Sequence, residues 1–378
     1  MKKLIGCMVC LFLASGAMAQ QKETVHSVIV EWRDVEWYKT QQELWGKDTE
    51  KNRKNAEAWI NYYSAVRALR NCSYENKDEQ MKYSALCDKI AKDAYAAVPN
   101  SFEGNFIMSW NTGIGNGNEK YLVKAYELKK DDPRVLLDML INAEIKRDKK
   151  LFSDVAKKIY EINRMPSGAL AWAYNVLTEV SENGIVFSAG DNDTYALWIV
   201  QEAMNYRKDV MVMNTSMILL DDYRAKLFKE KGLTSFSIPE NTDYTLLLFE
   251  HICNNEAKIP VHVSVSAIEQ FNDSTLNDNL YLTGLTYIYS TKDVENIAVI
   301  KRNFEKRFLI DHLTKNFSYS YGDLNSRIKH MYIPGLIKLY QHAKTADDLE
   351  GITFYNGLIE AIGKELHMEE DIQKAMNE

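Results

Sequence analysis

Hydrophobic residues recur at helical spacing through the first half of the chain and then change period near residue 184. Three segments share one pattern: Ala91-Lys-Asp-Ala-Tyr95 to Pro99, Lys124-Ala-Tyr126-Glu-Leu128 to Pro133, and Lys157-Lys-Ile-Tyr160-Glu-Ile162 to Pro166. The prolines stand 34 and 33 residues apart, the tetratricopeptide period. A proline cannot continue the helix before it, so each marks a step to the next unit. Ahead of each such helix lies another helical stretch, at 56–70, 102–111 and 135–146, the first carrying Trp59-x-x-Tyr62. The stretch 168–182 reads as one more first helix, capping the array.

At Asn183-Gly184 the helical period stops. Ile185-Val186-Phe187-Ser188-Ala189 predicts a short buried strand, 190–194 a loop, and 195–206 a helix. Asp209–Met213 and Val261–Val265 predict two further strands, with helices at 218–230 and 244–254 between them. Alternation of this kind predicts parallel βαβ units in one small sheet. From Asp293 onward the pattern is helical again, with Pro334-Gly335 as a break. The expected fold is α-rich α/β: tetratricopeptide-like helical repeats, a small parallel-sheet βαβ module and a helical C-terminal region. The expected boundaries are a signal at 1–19, an N-terminal segment at 20–50, repeats at 51–183, the α/β module at 184–290 and the C-terminal region at 291–378.

The start of the chain predicts export. Lys2 and Lys3 precede an apolar run from Leu4 to Leu13, and Ala17-Met18-Ala19 offers the small residues of a cleavage site. That run is too short to span a bilayer, and no later stretch is long and apolar enough. The expected location is therefore periplasmic or extracellular, without membrane insertion after cleavage. Cys72, Cys87 and Cys253 then remain. Cys72 and Cys87 fall in one predicted helical hairpin and are candidates for a disulfide, or for buried thiols.

Composition adds exclusions. With 46 Lys+Arg against 53 Asp+Glu, the net charge of −7 gives no footprint for nucleic acid or an anionic membrane surface. Cys7 and Cys10 leave with the predicted signal, and no Cys-x-x-Cys follows it; no His-Glu-x-x-His or Gly-x-Ser-x-Gly is present. His262, inside an apolar strand, reads as a hydrogen-bonded core histidine. Asp273-Ser274-Thr275 matches a short acceptor motif of bacterial periplasmic O-glycosylation.

Parallel sheets bind ligands at the carboxyl ends of their strands. Two polar clusters fall there, Asp191-Asn192-Asp193-Thr194 and Asn214-Thr215-Ser216. Asp191 and Asp193 are candidate ligands for a divalent cation (Mg²⁺, Mn²⁺ or Ca²⁺), with Asn192, Thr194, Asn214 and Ser216 completing a ligand site. The same residues also suit plain helix capping, with Asp193 or Thr194 as N-cap.

The block Gly184-Ile-Val-Phe-Ser-Ala-Gly-Asp-Asn-Asp-Thr-Tyr-Ala-Leu-Trp-Ile-Val-Gln-Glu-Ala, followed by Arg207-Lys-Asp-Val-Met-Val-Met-Asn-Thr-Ser, resembles a Bacteroidetes envelope family. That family is multi-spanning and distantly similar to protein O-mannosyltransferases. Leu280-Tyr-Leu-Thr-Gly-Leu-Thr-Tyr287 resembles its next recurring segment. This chain has repeats where the family has membrane helices, so the resemblance implies only the soluble module and its loop, Asp191 to Thr194 with Asn214. Two functions follow as expectations. One is an envelope interaction or scaffold protein gripping a protein or peptide segment through the repeats. The other is a metal-dependent glycan-related enzyme or sugar-binding accessory using the acidic loop.

Overall fold

The computed structural model describes residues 21–28, 31–114, 117–237, 244–271, 275–315 and 326–377. The predicted signal at 1–19, and Asp273 and Ser274 of the glycosylation motif, lie outside these residues. The chain forms two compact units, one running through Asn111 and the other from Thr112 to the C-terminus.

The first unit is all-helical: α1 (Val35–Lys51), α2 (Ala56–Cys72), α3 (Lys77–Ala97) and α4 (Phe102–Thr112). Asp34, Asn55 and Asn76 cap α1 to α3 by accepting from amides three residues on. Tyr38, Trp59, Tyr63, Leu69, Phe102 and Phe106 are buried in its core. Cys72 and Cys87 are free thiols, not the bonded pair that was one of the expectations. Cys72 ends α2 at the turn, whereas Cys87 lies ten residues into α3. At ~1.5 Å rise per residue that is about 15 Å along the helix, beyond disulfide reach.

The second unit opens with helices α5 (Glu119–Leu128), α6 (Pro133–Lys146), α7 (Lys149–Glu161) and α8 (Ser167–Glu179). Pro133 occupies the first turn of α6 and Pro166 precedes α8, where their missing amides cost nothing. Strands β1 (Ile185–Ser188), β2 (Met211–Asn214) and β3 (Val261–Ser264) alternate with α9 (Asp191–Ala203), α10 (Asp221–Lys231) and α11 (Thr245–Cys253). Two strands that the hydrophobic pattern does not predict, β4 (Leu280–Leu282) and β5 (Thr286–Tyr289), complete a sheet of order β2-β1-β3-β5-β4. β1 runs parallel to β2 and β3, while β5 is antiparallel to β3 and β4. The sheet is therefore mixed, not parallel throughout. The antiparallel pair turns at Thr283-Gly284-Leu285, so a hairpin replaces a further crossover helix.

Every residue of β1 and β3 is buried, as expected for strands covered on both faces. Ile185, Phe187, Val261 and Val263 join Leu227, Phe249 and Phe271 in one core. On the other side of the sheet lie Val186 and His262. Beyond β5 the described residues are mostly helical, ending in Ile333–Thr345, Leu349–Leu366 and Glu369–Asn377. Pro334 opens the first of these rather than breaking a helix. None of the helices among the described residues is long and apolar enough to cross a membrane.

Candidate functional site

The chain leaves β1 toward β2 on one side and reaches β3 on the other, so the strand order reverses at β1. The loops following β1 and β3 then diverge, and open sheets form a crevice at such a point. The segments meeting there are 189–194 after β1, 215–217 after β2 and 265–271 after β3.

The stretch 190–194 is not a loop. Gly190 alone makes the turn, with φ 80°, and Asp191, Asn192 and Asp193 form the first turn of α9. Acidic residues there are favoured by the positive end of the helix. An added Cβ on Gly190 would meet Asp193 Oδ1 at 3.0 Å, so the glycine also gives that carboxyl its space.

Thr194 and Asn214 lie in the floor, where they are consumed by internal bonds. The Thr194 hydroxyl donates to the Gly190 carbonyl at 2.7 Å and meets the Ser188 hydroxyl at 2.8 Å. Asn214 Nδ2 donates to Thr194 Oγ1 at 3.0 Å, and Asn214 Oδ1 accepts from the amides of Ser216 and Met217, each at 3.0 Å. These two predicted ligand residues therefore tie the ends of β1 and β2 together. Asn192 is half-buried and Ser216 exposed at the rim.

Asp193 differs. It is 4% exposed, and its Oδ2 has no hydrogen-bond partner among the described residues. Burial outweighs the Ser266 hydroxyl and the amides of Asp193 and Thr194 that lie against it, and pushes the carboxyl up to about 6. Thr215, 1% exposed, likewise keeps an unpartnered Oγ1, although its amide extends the ladder to Ser188. Asp191 is at the exposed rim. Burial of its carboxyl raises it more than the Tyr195 hydroxyl, which donates to it, lowers it. The two aspartates thus face different partners, and among the described residues no three His, Cys, Asp or Glu gather as a metal site needs. Two buried oxygens, Asp193 Oδ2 and Thr215 Oγ1, thus have no hydrogen-bond partner among the described residues.

Ser266 is the residue that sequence reasoning missed; Thr215 belongs to a predicted polar cluster but not to the candidate ligands. Ser266 follows β3 as Asp191 follows β1, and applying the strand-end rule to every predicted strand would have found it.

A second set of polar contacts gathers where α8 ends, at the β4–β5 turn and at the entry to β2. Glu179 is buried and accepts from the Thr286 hydroxyl at 2.8 Å, the Leu285 amide at 2.8 Å and the Thr286 amide at 3.1 Å, and also from the Thr283 hydroxyl. Arg207 donates to the carbonyls of Leu177, Val180 and Ser181 and pairs with Asp209, so it caps α8 where the helix is negative. That pairing holds Asp209 down at about 2. These groups have internal partners and read as scaffold.

Residues 169–245 match a family described as TMEM260-associated domain 2. The match covers about a fifth of the chain, from α8 to just before α11, and includes Asp191–Thr194 and Asn214–Ser216. No curated protein and no solved structure matches the chain.

Proposed function

We propose that this is an exported binding protein of the cell envelope, periplasmic or secreted, whose α/β module holds a small neutral, hydroxyl-rich ligand such as a sugar. The observation that carries this is the pair of buried oxygens, Asp193 Oδ2 and Thr215 Oγ1, that have no hydrogen-bond partner among the described residues and follow β1 and β2 at the strands' carboxyl ends. The Asp193 carboxyl accepts from a sugar hydroxyl, and the Thr215 hydroxyl both donates and accepts, so each matches one. A cation is served less well. A single buried carboxyl beside a rim aspartate supplies few of the oxygens that Mg²⁺ or Ca²⁺ requires.

The test is titration of the purified protein with glucose, mannose, galactose and N-acetylglucosamine, followed by calorimetry. Binding of at least one, lost in Asp193→Asn and weakened in Thr215→Val, supports the proposal. Equal heats from all four sugars and from buffer alone would sink it.

The helical repeats support a second role, the grip on a protein partner. In the first unit, Arg67 lies over the half-buried Trp110 ring at 4.3 Å, and Asn111 links Tyr63 to Asp88. Such a strip of aromatic and hydrogen-bonding side chains suits an extended peptide segment. Crosslinking in envelope extracts should give an adduct that Trp110→Ala abolishes without lowering the melting temperature. An adduct unchanged by that variant would contradict this role.

A further inference from the structure

At the end where the chain enters β2, a cavity of about 460 Å³ opens between the α6–α7 turn, α9 and the end of α10. Its volume lies in the range of small-molecule sites. Trp198 and Phe152 form one wall, ring edge to ring face at 5.5 Å.

The charged groups around it are unevenly satisfied. Arg147 pairs through Nη1 with buried Glu144 and through Nη2 with Glu230 at 2.7 Å, and Lys149 also meets Glu230, at 2.8 Å. Tyr223 donates to Glu144 at 2.7 Å. Lys208 is taken by Glu202 at 2.7 Å, and Asp209 by Arg207. Two donors are left over. Arg147 Nε is buried with no acceptor, and the Lys231 ammonium reaches only the Asp209 carbonyl, at 3.4 Å. Lys231 has no carboxylate within ion-pair distance among the described residues, and burial lowers its pKa. A buried guanidinium N–H without an acceptor, beside an unpaired ammonium, is costly unless an anion completes both.

We propose that this cavity is a second binding site, for a small ligand bearing one carboxylate or phosphate group on a flat ring. The anion accepts from Arg147 Nε–H and Lys231, and the ring lies against Trp198 and Phe152. The Arg147 fork is held in register by Glu144 and Glu230, so the Nε–H is fixed before the ligand arrives. This site shares no residue with the switch-point crevice and stands independently of it.

Calorimetric titration with benzoate, phenyl phosphate and neutral benzyl alcohol tests this. At least one anion should bind, benzyl alcohol should not, and the anion that binds identifies the headgroup. Lys231→Met should weaken binding about tenfold, the scale of one charge-assisted hydrogen bond. Arg147→Lys keeps the charge but loses the Nε–H and should weaken it similarly. Asp193→Asn should bind as the wild type does, which separates this site from the crevice. The proposal is overturned if neither anion binds, if benzyl alcohol binds as tightly, or if Lys231→Met and Arg147→Lys both leave affinity unchanged.

Discussion

His262 Nδ1 lies 2.9 Å from the hydroxyl of Thr286, and that hydroxyl donates to Glu179 Oε1 at 2.8 Å. The far ring nitrogen, Nε2, accepts from the Ser181 amide at 3.2 Å, with the Ser181 hydroxyl at 3.1 Å. The donors run one way, so the proton belongs on Nδ1 of a neutral ring. One chain of bonds thereby joins the end of α8 to β3 and β5.

Thr286→Val removes an acceptor from His262 and a donor from Glu179 at once. Leaving both buried groups short of a partner should cost about 3 kcal/mol, read from urea unfolding. Thr286→Ser keeps the hydroxyl and should recover most of that loss. Equal destabilisation by both variants would show that the methyl group, not the relay, matters.

Two buried groups should give opposite pH slopes. His262 is held down to about 3 from 6.5, chiefly by burial. The stability tied to its neutral form is present above 6.5 and is lost as pH falls toward 3. Asp193 is raised from 3.8 to about 6. Its contribution is present below 3.8 and is lost as pH rises through 6, by about 3 kcal/mol in total. Asp193→Asn should therefore gain on the wild type as pH rises from 4 to neutrality, and His262→Gln should flatten the acid limb. Urea midpoints measured across this pH range check both signs.

Much of this was legible in the chain, and the failures have physical causes. Ile185–Ser188 and Val261–Ser264 are short, β-branched segments flanked by turn residues that read as buried strands, and Pro133 and Pro166 fall where helices begin. The first turn of α9 was not legible, because Asp191-Asn-Asp has loop composition while Gly190 alone reverses the chain. β4 and β5 are short, and only the pairing of β5 with β3 and of β4 with β5 makes strands of them. The partners of Glu179 lie over a hundred residues away, beyond any local pattern. Of the candidate site, the positions were readable but the roles were not. Thr194 and Asn214 turn inward onto neighbouring groups, whereas Asp193 Oδ2 and Thr215 Oγ1 have no partner among the described residues.

Gly284 should tolerate no side chain. Its φ is 144°, and an added Cβ would lie 2.9 Å from Glu179 Oε2 and 3.1 Å from the Phe308 ring. Gly284→Ala should lose about 3 kcal/mol through strain and overpacking. A melting temperature equal to the wild type would show that the hairpin turn relaxes freely.

Cys72 and Cys87 should each take up iodoacetamide after denaturation without reductant, as free thiols do. Mass spectrometry of the two tryptic peptides reads this directly. A linked pair would mean that α2 and α3 pack in another register.

The central claim is that the oxygens of Asp193 and Thr215 await a hydroxyl-rich ligand. Its most direct test is calorimetric titration of wild type and Asp193→Asn with the four sugars, at neutral pH. Saturable binding to the wild type that vanishes in Asp193→Asn, with the variant still folded, is the predicted result. Binding that persists undiminished in the variant, or no binding to either protein, would contradict it.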